Sequence, residues 1–209
     1  HTAPAPPEVS SFEEVWEVGA LHIGLGSDNV IIRNNEFANI PKAIQSYSEH
    51  SLITDNYIHD SNITQQGGFL SEPYWGPIGI QLGIGNQEVA NNRIENMYAQ
   101  GGKYGADGGA IEIDDGRYHK DNINIHGNIT LHNMGFIEVS YWDDIEMMSS
   151  SNITIEYNTS RDYQSFLLWW APTDGSRIKN NTIIRDDNEI EGHWNTVFII
   201  DEPPGDIEF

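Results

Sequence analysis

Apolar and polar residues alternate along this chain in short runs, broken at Asn and Gly. One pattern recurs: an I-x-I run, a bend at Asn, then a second short apolar run. It reads Asn29-Val-Ile-Ile-Arg-Asn-Asn-Glu-Phe37, and it returns as Ser51-Leu-Ile-Thr-Asp-Asn-Tyr-Ile58 and Glu88-Val-Ala-Asn-Asn-Arg-Ile94. Further copies are Asn122-Ile-Asn-Ile-His-Gly-Asn-Ile129, Asn152-Ile-Thr-Ile-Glu-Tyr-Asn158 and Ser176-Arg-Ile-Lys-Asn-Asn-Thr-Ile183. A period of two residues with Asn and Gly turns predicts strands, and a repeat of this kind predicts a solenoid. Aligned, the copies place Asn35, Asn56, Asn92, Asn128, Asn158 and Asn181 in one column, with separations of 21, 36, 36, 30 and 23 residues. The shortest spacing is a bare coil, and the longer ones carry inserted loops. An Asn at a tight bend tolerates the left-handed conformation, and its amide can bond to the next coil. Stacked about every 4.8 Å, such residues form a structural ladder.

Each coil opens with a further short strand. The copies are Ala20-Leu-His-Ile23, Ala43-Ile-Gln-Ser46, Gly79-Ile-Gln-Leu82, Ala110-Ile-Glu-Ile113, Phe136-Ile-Glu-Val139, Phe166-Leu-Leu-Trp169 and Val197-Phe-Ile-Ile200. Alternation turns the second and fourth residues inward and the third outward. Only Ser11-Phe-Glu-Glu-Val-Trp-Glu17 reads as helical, and it suits a cap on the open end of the solenoid. Residues 1–10 read as a linker or processed end, and residues 11–209 as one β-helix domain. The abrupt stop at Phe209, just after a strand-like run, suggests a piece of a longer protein.

On these repeats, from residue 20 to 209, the chain resembles the pectin-lyase-like superfamily. The fold the resemblance implies is all-β: a single-stranded, right-handed parallel β-helix of about seven coils. Many members of that superfamily are polysaccharide lyases, glycoside hydrolases or epimerases, and others are adhesins or phage spikes. The resemblance also implies that substrate lies on the face made by the first strand of each coil.

Composition narrows the chemistry. The chain has no cysteine, so thiolate nucleophiles, thiolate ligands and disulfides are excluded. Lys and Arg number 10 against 32 Asp and Glu, a net charge of −22. Such a field repels nucleic acid and anionic membranes, and no apolar run is long enough to span a bilayer. A secreted or cell-surface location fits this acidic surface, and open coil ends would allow self-association.

The outward column of the first strands reads His22, Gln45, Gln81, Glu112, Glu138, Leu168 and Ile199. Two residues further along lie Gly24, Tyr47, Gly83, Asp114, Ser140, Trp170 and Asp201. Carboxylates therefore concentrate on the middle coils, between loop insertions that would build a trough. Glu112 and Glu138 should be vertical neighbours about 4.8 Å apart at the backbone, and Glu112 and Asp114 about 6.6 Å apart along one strand. Retaining glycosidases hold their carboxyls about 5–5.5 Å apart and inverting ones about 6.5–9.5 Å, so both arrangements are available. Close carboxylates also keep one acid protonated near neutrality. Glu112, Asp114 and Glu138 are the candidate catalytic residues, although the same residues also fit a solvated or Ca²⁺-linked acidic face.

Aromatic and basic residues beside the acids supply binding candidates: Trp75, Tyr104, Arg117, His119, Trp142 and Trp170. Sugar rings present apolar C–H faces that stack on Trp and Tyr. Trp169, by its place in the pattern, should be core. Asp115, Asp143 and Asp144 offer oxygen ligands for Ca²⁺, though no cofactor is required by a hydrolase. The leading expectation is a polysaccharide-active glycoside hydrolase using paired carboxylates. The alternatives are a Ca²⁺-dependent lyase on a uronate polymer, and a non-catalytic carbohydrate-binding or adhesin β-helix.

Overall fold

A computed structural model describes residues 19–63, 75–99, 106–114, 118–140, 150–184, 196–201 and 205–209. The helix expected at 11–17 and the linker at 1–10 lie outside these residues. Among the described residues every regular element is a strand, and every pairing between named strands is parallel.

The chain visits three sheets in a fixed order, turn after turn. The first sheet stacks seven strands: Leu21–Ile23, Lys42–Ser46, Ile78–Leu82, Gly109–Ile113, Ile137–Val139, Leu167–Trp169 and Phe198–Ile200. The second stacks seven more, from Ile31–Arg33 through Ser51–Thr54, Gln87–Ala90, Asn124–His126, Thr154–Glu156 and Ser176–Lys179 to Ile207–Glu208. A third of six strands runs from Glu36–Ala38 to Thr182–Ile183, and a short three-stranded ribbon joins Lys120–Asp121, Ser150–Ser151 and Thr173–Asp174. This topology is consistent with a β-helix. The parallel pairing is what the sequence repeat requires, because equal coils stack like on like.

Register stacks identical chemistry in columns. Ile44, Ile80, Ile111, Ile137 and Leu167 form one inner column of the first sheet, and Ile32, Ile53, Val89, Ile125, Ile155 and Ile178 one of the second. These side chains are almost fully buried, and a buried aliphatic side chain contributes about 1.5–3 kcal/mol. Phe136 and Phe166 continue the stack with ring centroids 4.7 Å apart. Trp169 is buried among them, as the alternation predicts.

The Asn column forms the expected ladder. In each step the backbone N–H and the side-chain Nδ2 donate to Oδ1 of the next Asn, from Asn35 to Asn56 at 3.1 Å and from Asn56 to Asn92 at 3.0 Å, and so on to Asn181. Nδ2 also donates back to the preceding coil, as from Asn92 to the Ile53 carbonyl at 2.9 Å. One detail corrects the sequence reading. The left-handed residue at each bend is the one before the ladder Asn: Asn34, Asp55, Asn91, Gly127, Tyr157 and Asn180 all have φ between 55° and 65°. The ladder Asn needs its side chain turned inward, so the bend falls one residue earlier.

Candidate acidic site

The first sheet sets the candidate site. The register pairs His22 with Gln45, Gln45 with Gln81, Gln81 with Glu112, Glu112 with Glu138, and Glu138 with Leu168. Glu112 and Glu138 are therefore nearest neighbours on adjacent strands, as the alternation of the first strands implies. Both are half-buried. Asp114 follows on the same strand as Glu112 and is buried.

Alternation points Gln45 and Gln81 outward, yet both are buried, at 1% and 0% exposure. Tyr47 supplies part of the cover: its hydroxyl accepts from Gln45 Nε2 at 3.4 Å. The ring lies so close over Gly83 that a Cβ there would sit 2.1 Å from Tyr47 Cε1, so only glycine fits. Tyr118 meets Tyr47 edge-on at 5.9 Å, and the His22 ring lies 5.6 Å from Tyr47. Outward direction alone does not guarantee exposure when a neighbouring ring folds back over the column.

The electrostatics of the acid group are unusual. Burial first, then the charges of Glu138, Asp114 and Asp107, push Glu112 well above its ordinary 4.5, and the buried Lys42 ammonium offsets part of that rise. Glu138 is pushed up to about 8 by burial and by Asp107 and Asp114, while a hydrogen bond from Trp170 draws it down. A charged carboxylate is costly where water is excluded and other anions are near, so both glutamates hold their protons to high pH.

A second buried carboxyl shows the contrast. Asp162 follows Asn133 in a second, shorter ladder and is 3% exposed. Its Oδ1 accepts from the Asn133 backbone at 2.9 Å and side chain at 2.8 Å, and its Oδ2 accepts from Thr130 at 2.5 Å and Ser160 at 2.6 Å. Four donors compensate its burial; it is structural. Among the described residues Glu112 meets one amide donor, Gln81, at 3.4 Å, and Glu138 one indole donor, Trp170. The carboxyls of Asp107 and Asp114 raise both of them.

Asp107 joins this group without having been singled out from the sequence. Its Oδ2 accepts from the Gly76 backbone N–H at 2.9 Å and its Oδ1 from Gly108 at 2.9 Å, and an antiparallel bridge to Ala99 holds its backbone. A Cβ on Gly76 would lie 2.2 Å from the Asp107 carbonyl, so this approach requires glycine. The signal available in sequence was the Asp107-Gly-Gly segment leading into the Glu112 strand. Its significance depends on the fold bringing residues 76 and 107 together.

The remaining candidates divide three ways. Trp170 is half-buried and bonds to Glu138, inside the site. His119 is exposed on the turn before the ribbon strand, whereas Trp75 is buried at 8% exposure and offers little ring face to a ligand. Tyr104, Arg117, Trp142, Asp115, Asp143 and Asp144 lie outside the described residues, and with them the expected Ca²⁺ ligands. Among the described residues no group of three metal-ligating side chains gathers.

The chain matches no family model, no curated protein and no solved structure.

Proposed function

We propose that this chain is a secreted glycoside hydrolase built as a right-handed parallel β-helix of the pectin-lyase-like kind, acting on a neutral polysaccharide through Glu112, Asp114 and Glu138. One observation carries the reading: two half-buried glutamates share a face with two aspartates and, among the described residues, lack the donors that would make them merely structural. A general acid must hold a proton at the pH of reaction, and burial among anions supplies that. Glu112 is the acid. Its proton passes to the glycosidic oxygen as the bond to the anomeric carbon breaks. Asp114, whose charge raises both glutamates, is the carboxylate that deprotonates the attacking water. The i, i+2 spacing of Glu112 and Asp114, about 6.6 Å along a strand, favours inversion at the anomeric carbon. Glu138, on the adjacent strand, lines the sugar site with Trp170.

The acidic surroundings favour a neutral polymer over a uronate, because an anionic sugar would meet Glu112, Glu138, Asp107 and Asp114, whose charge the buried Lys42 offsets only in part. The test is a panel of neutral and acidic polysaccharides, read by new reducing ends. Glu112→Gln should lower release from a neutral polymer by about 10²–10⁴-fold. Full activity in that variant, or an ultraviolet-absorbing unsaturated product from a uronate polymer, would overturn the assignment.

A further inference from the structure

We infer that the amides of Gln45 and Gln81, anchored at His22, hold Oε2 of Glu112 as a hydrogen-bond acceptor and so assign the Glu112 proton to its other oxygen, Oε1. Three contacts run along the outer column of the first sheet. His22 Nδ1 meets Gln45 Oε1 at 2.7 Å, Gln45 Nε2 donates to Gln81 Oε1 at 2.7 Å, and Gln81 Nε2 donates to Glu112 Oε2 at 3.4 Å. A carboxamide has one accepting edge and one donating edge. Fixing any member therefore fixes the rest.

Burial couples the amides to one another, and the three contacts give the column its direction. Gln45 and Gln81 have almost no contact with solvent, so an amide turned the wrong way finds no water to satisfy it. If Gln45 alone reversed, its oxygen would face the oxygen of Gln81. The second Nε2 hydrogen of Gln45 is directed at the Tyr47 hydroxyl, 3.4 Å away; a hydroxyl both donates and accepts, so it satisfies the amide without choosing its edge. The accepting edge of Gln45 then faces His22, whose Nδ1 must carry a hydrogen. At the other end an N–H faces Glu112 Oε2. That oxygen can serve as the carbonyl oxygen of the neutral acid or as half of a carboxylate, but it cannot carry the proton without opposing two hydrogens.

The other groups acting on Glu112 are Glu138 on the adjacent strand, Asp114 on its own strand, Asp107 and Lys42. None of them fixes which oxygen is protonated, because each acts on the carboxyl as a whole through its charge. The amide column does fix it, and it makes Gln45 and Gln81 positioning residues. Its meaning for catalysis rests on Glu112 being the acid; the direction of the column does not.

The experiment is therefore read on substrate-free protein. The full chain is labelled with ¹⁵N-histidine, and long-range ¹H–¹⁵N correlations give the tautomer of neutral His22, identified by the signal lost in His22→Gln. The expected state is Nδ1–H, the tautomer an unrestrained imidazole adopts less often. Gln81→Met keeps the length of the side chain but has no amide, and it touches neither His22 nor its ring. It should reduce the predominance of Nδ1–H, because Gln45 then loses the Gln81 oxygen that accepts from its Nε2. In Glu112→Gln the new carboxamide can turn either edge to Gln81, so a mixture of tautomers is expected. A wild-type His22 held as Nε2–H would mean that the column runs the opposite way, with a Glu112 hydroxyl donating to Gln81, and would overturn the inference. So would an unchanged tautomer in folded Gln81→Met. Hydrolysis in the panel assay is a separate readout: its failure with Nδ1–H observed removes the catalytic reading and leaves the column intact.

Discussion

Replacing Glu138 by Gln removes one ionisable group from the acid cluster while keeping its shape, and the consequence should appear in the pH dependence of stability. In the unfolded chain this carboxyl titrates near 4.5; in the folded chain it is pushed up to about 8. Between those values the folded state binds a proton that the unfolded state has released. Folding stability therefore falls as pH rises, by about 1.4 kcal/mol per pH unit, and levels off above about 8. Across the whole window the limit is about 5 kcal/mol, and solvent reaching the half-exposed residue reduces the expected loss to about 2–4 kcal/mol. The amide introduced by the substitution carries no charge at any pH. Urea unfolding of both proteins at pH 5 and pH 9 reads the difference: the variant should gain on the wild type by about 2–4 kcal/mol between the two conditions. Glu112 remains in both proteins and contributes a slope of the same sign. Parallel pH profiles for wild type and variant would show that Glu138 ionises freely, and the proton-holding cluster would have to be abandoned.

Other perturbations test the scaffold and the site. Trp170→Phe removes the indole donor to Glu138 and should move the alkaline end of the stability profile to higher pH, read by the same unfolding series. Asn92→Ala strands the backbone N–H of Asn56 and the Ile53 carbonyl inside the ladder, a loss of about 3–5 kcal/mol measurable by chemical denaturation. Tyr157 has φ 56° and is exposed, so Tyr157→Asn should stabilise the protein by about 1 kcal/mol and raise Tm. Gly83→Ala drives a methyl into the Tyr47 ring; we expect a loss of about 1–3 kcal/mol and a changed near-ultraviolet circular dichroism spectrum.

Much of the architecture was legible because stacked parallel strands of repeated sequence write their register into the repeats. The inner Ile columns, the Asn ladder and the adjacency of Glu112 and Glu138 all follow from aligning short runs, since parallel coils stack equal positions. Burial on the outer face was less legible. Gln45 and Gln81 occupy the same column as Glu112, but Tyr47, two residues beyond Gln45, reaches back to Gln45 and lies against Gly83, and alternation carries no information about such rings. Asp107 was missed as a site residue because its approach depends on Gly76, 31 residues earlier in the chain. The left-handed bends were placed one residue late, since Asn occurs at both positions in several copies and composition alone does not separate a bend from a ladder.

The pairing of Glu112 with Glu138 depends on hydrogen bonds between neighbouring strands and not on the 25 residues of chain that lie between them. Successive ladder positions are 21, 36, 36, 30 and 23 residues apart, yet every step closes with the same geometry. Segment length between coils is thus decoupled from the placement of the acids. Grafting a longer or shorter connection at such a junction would reshape the surroundings of the carboxyls while leaving their mutual position untouched, which makes this frame suited to exchanging specificity as interchangeable cassettes.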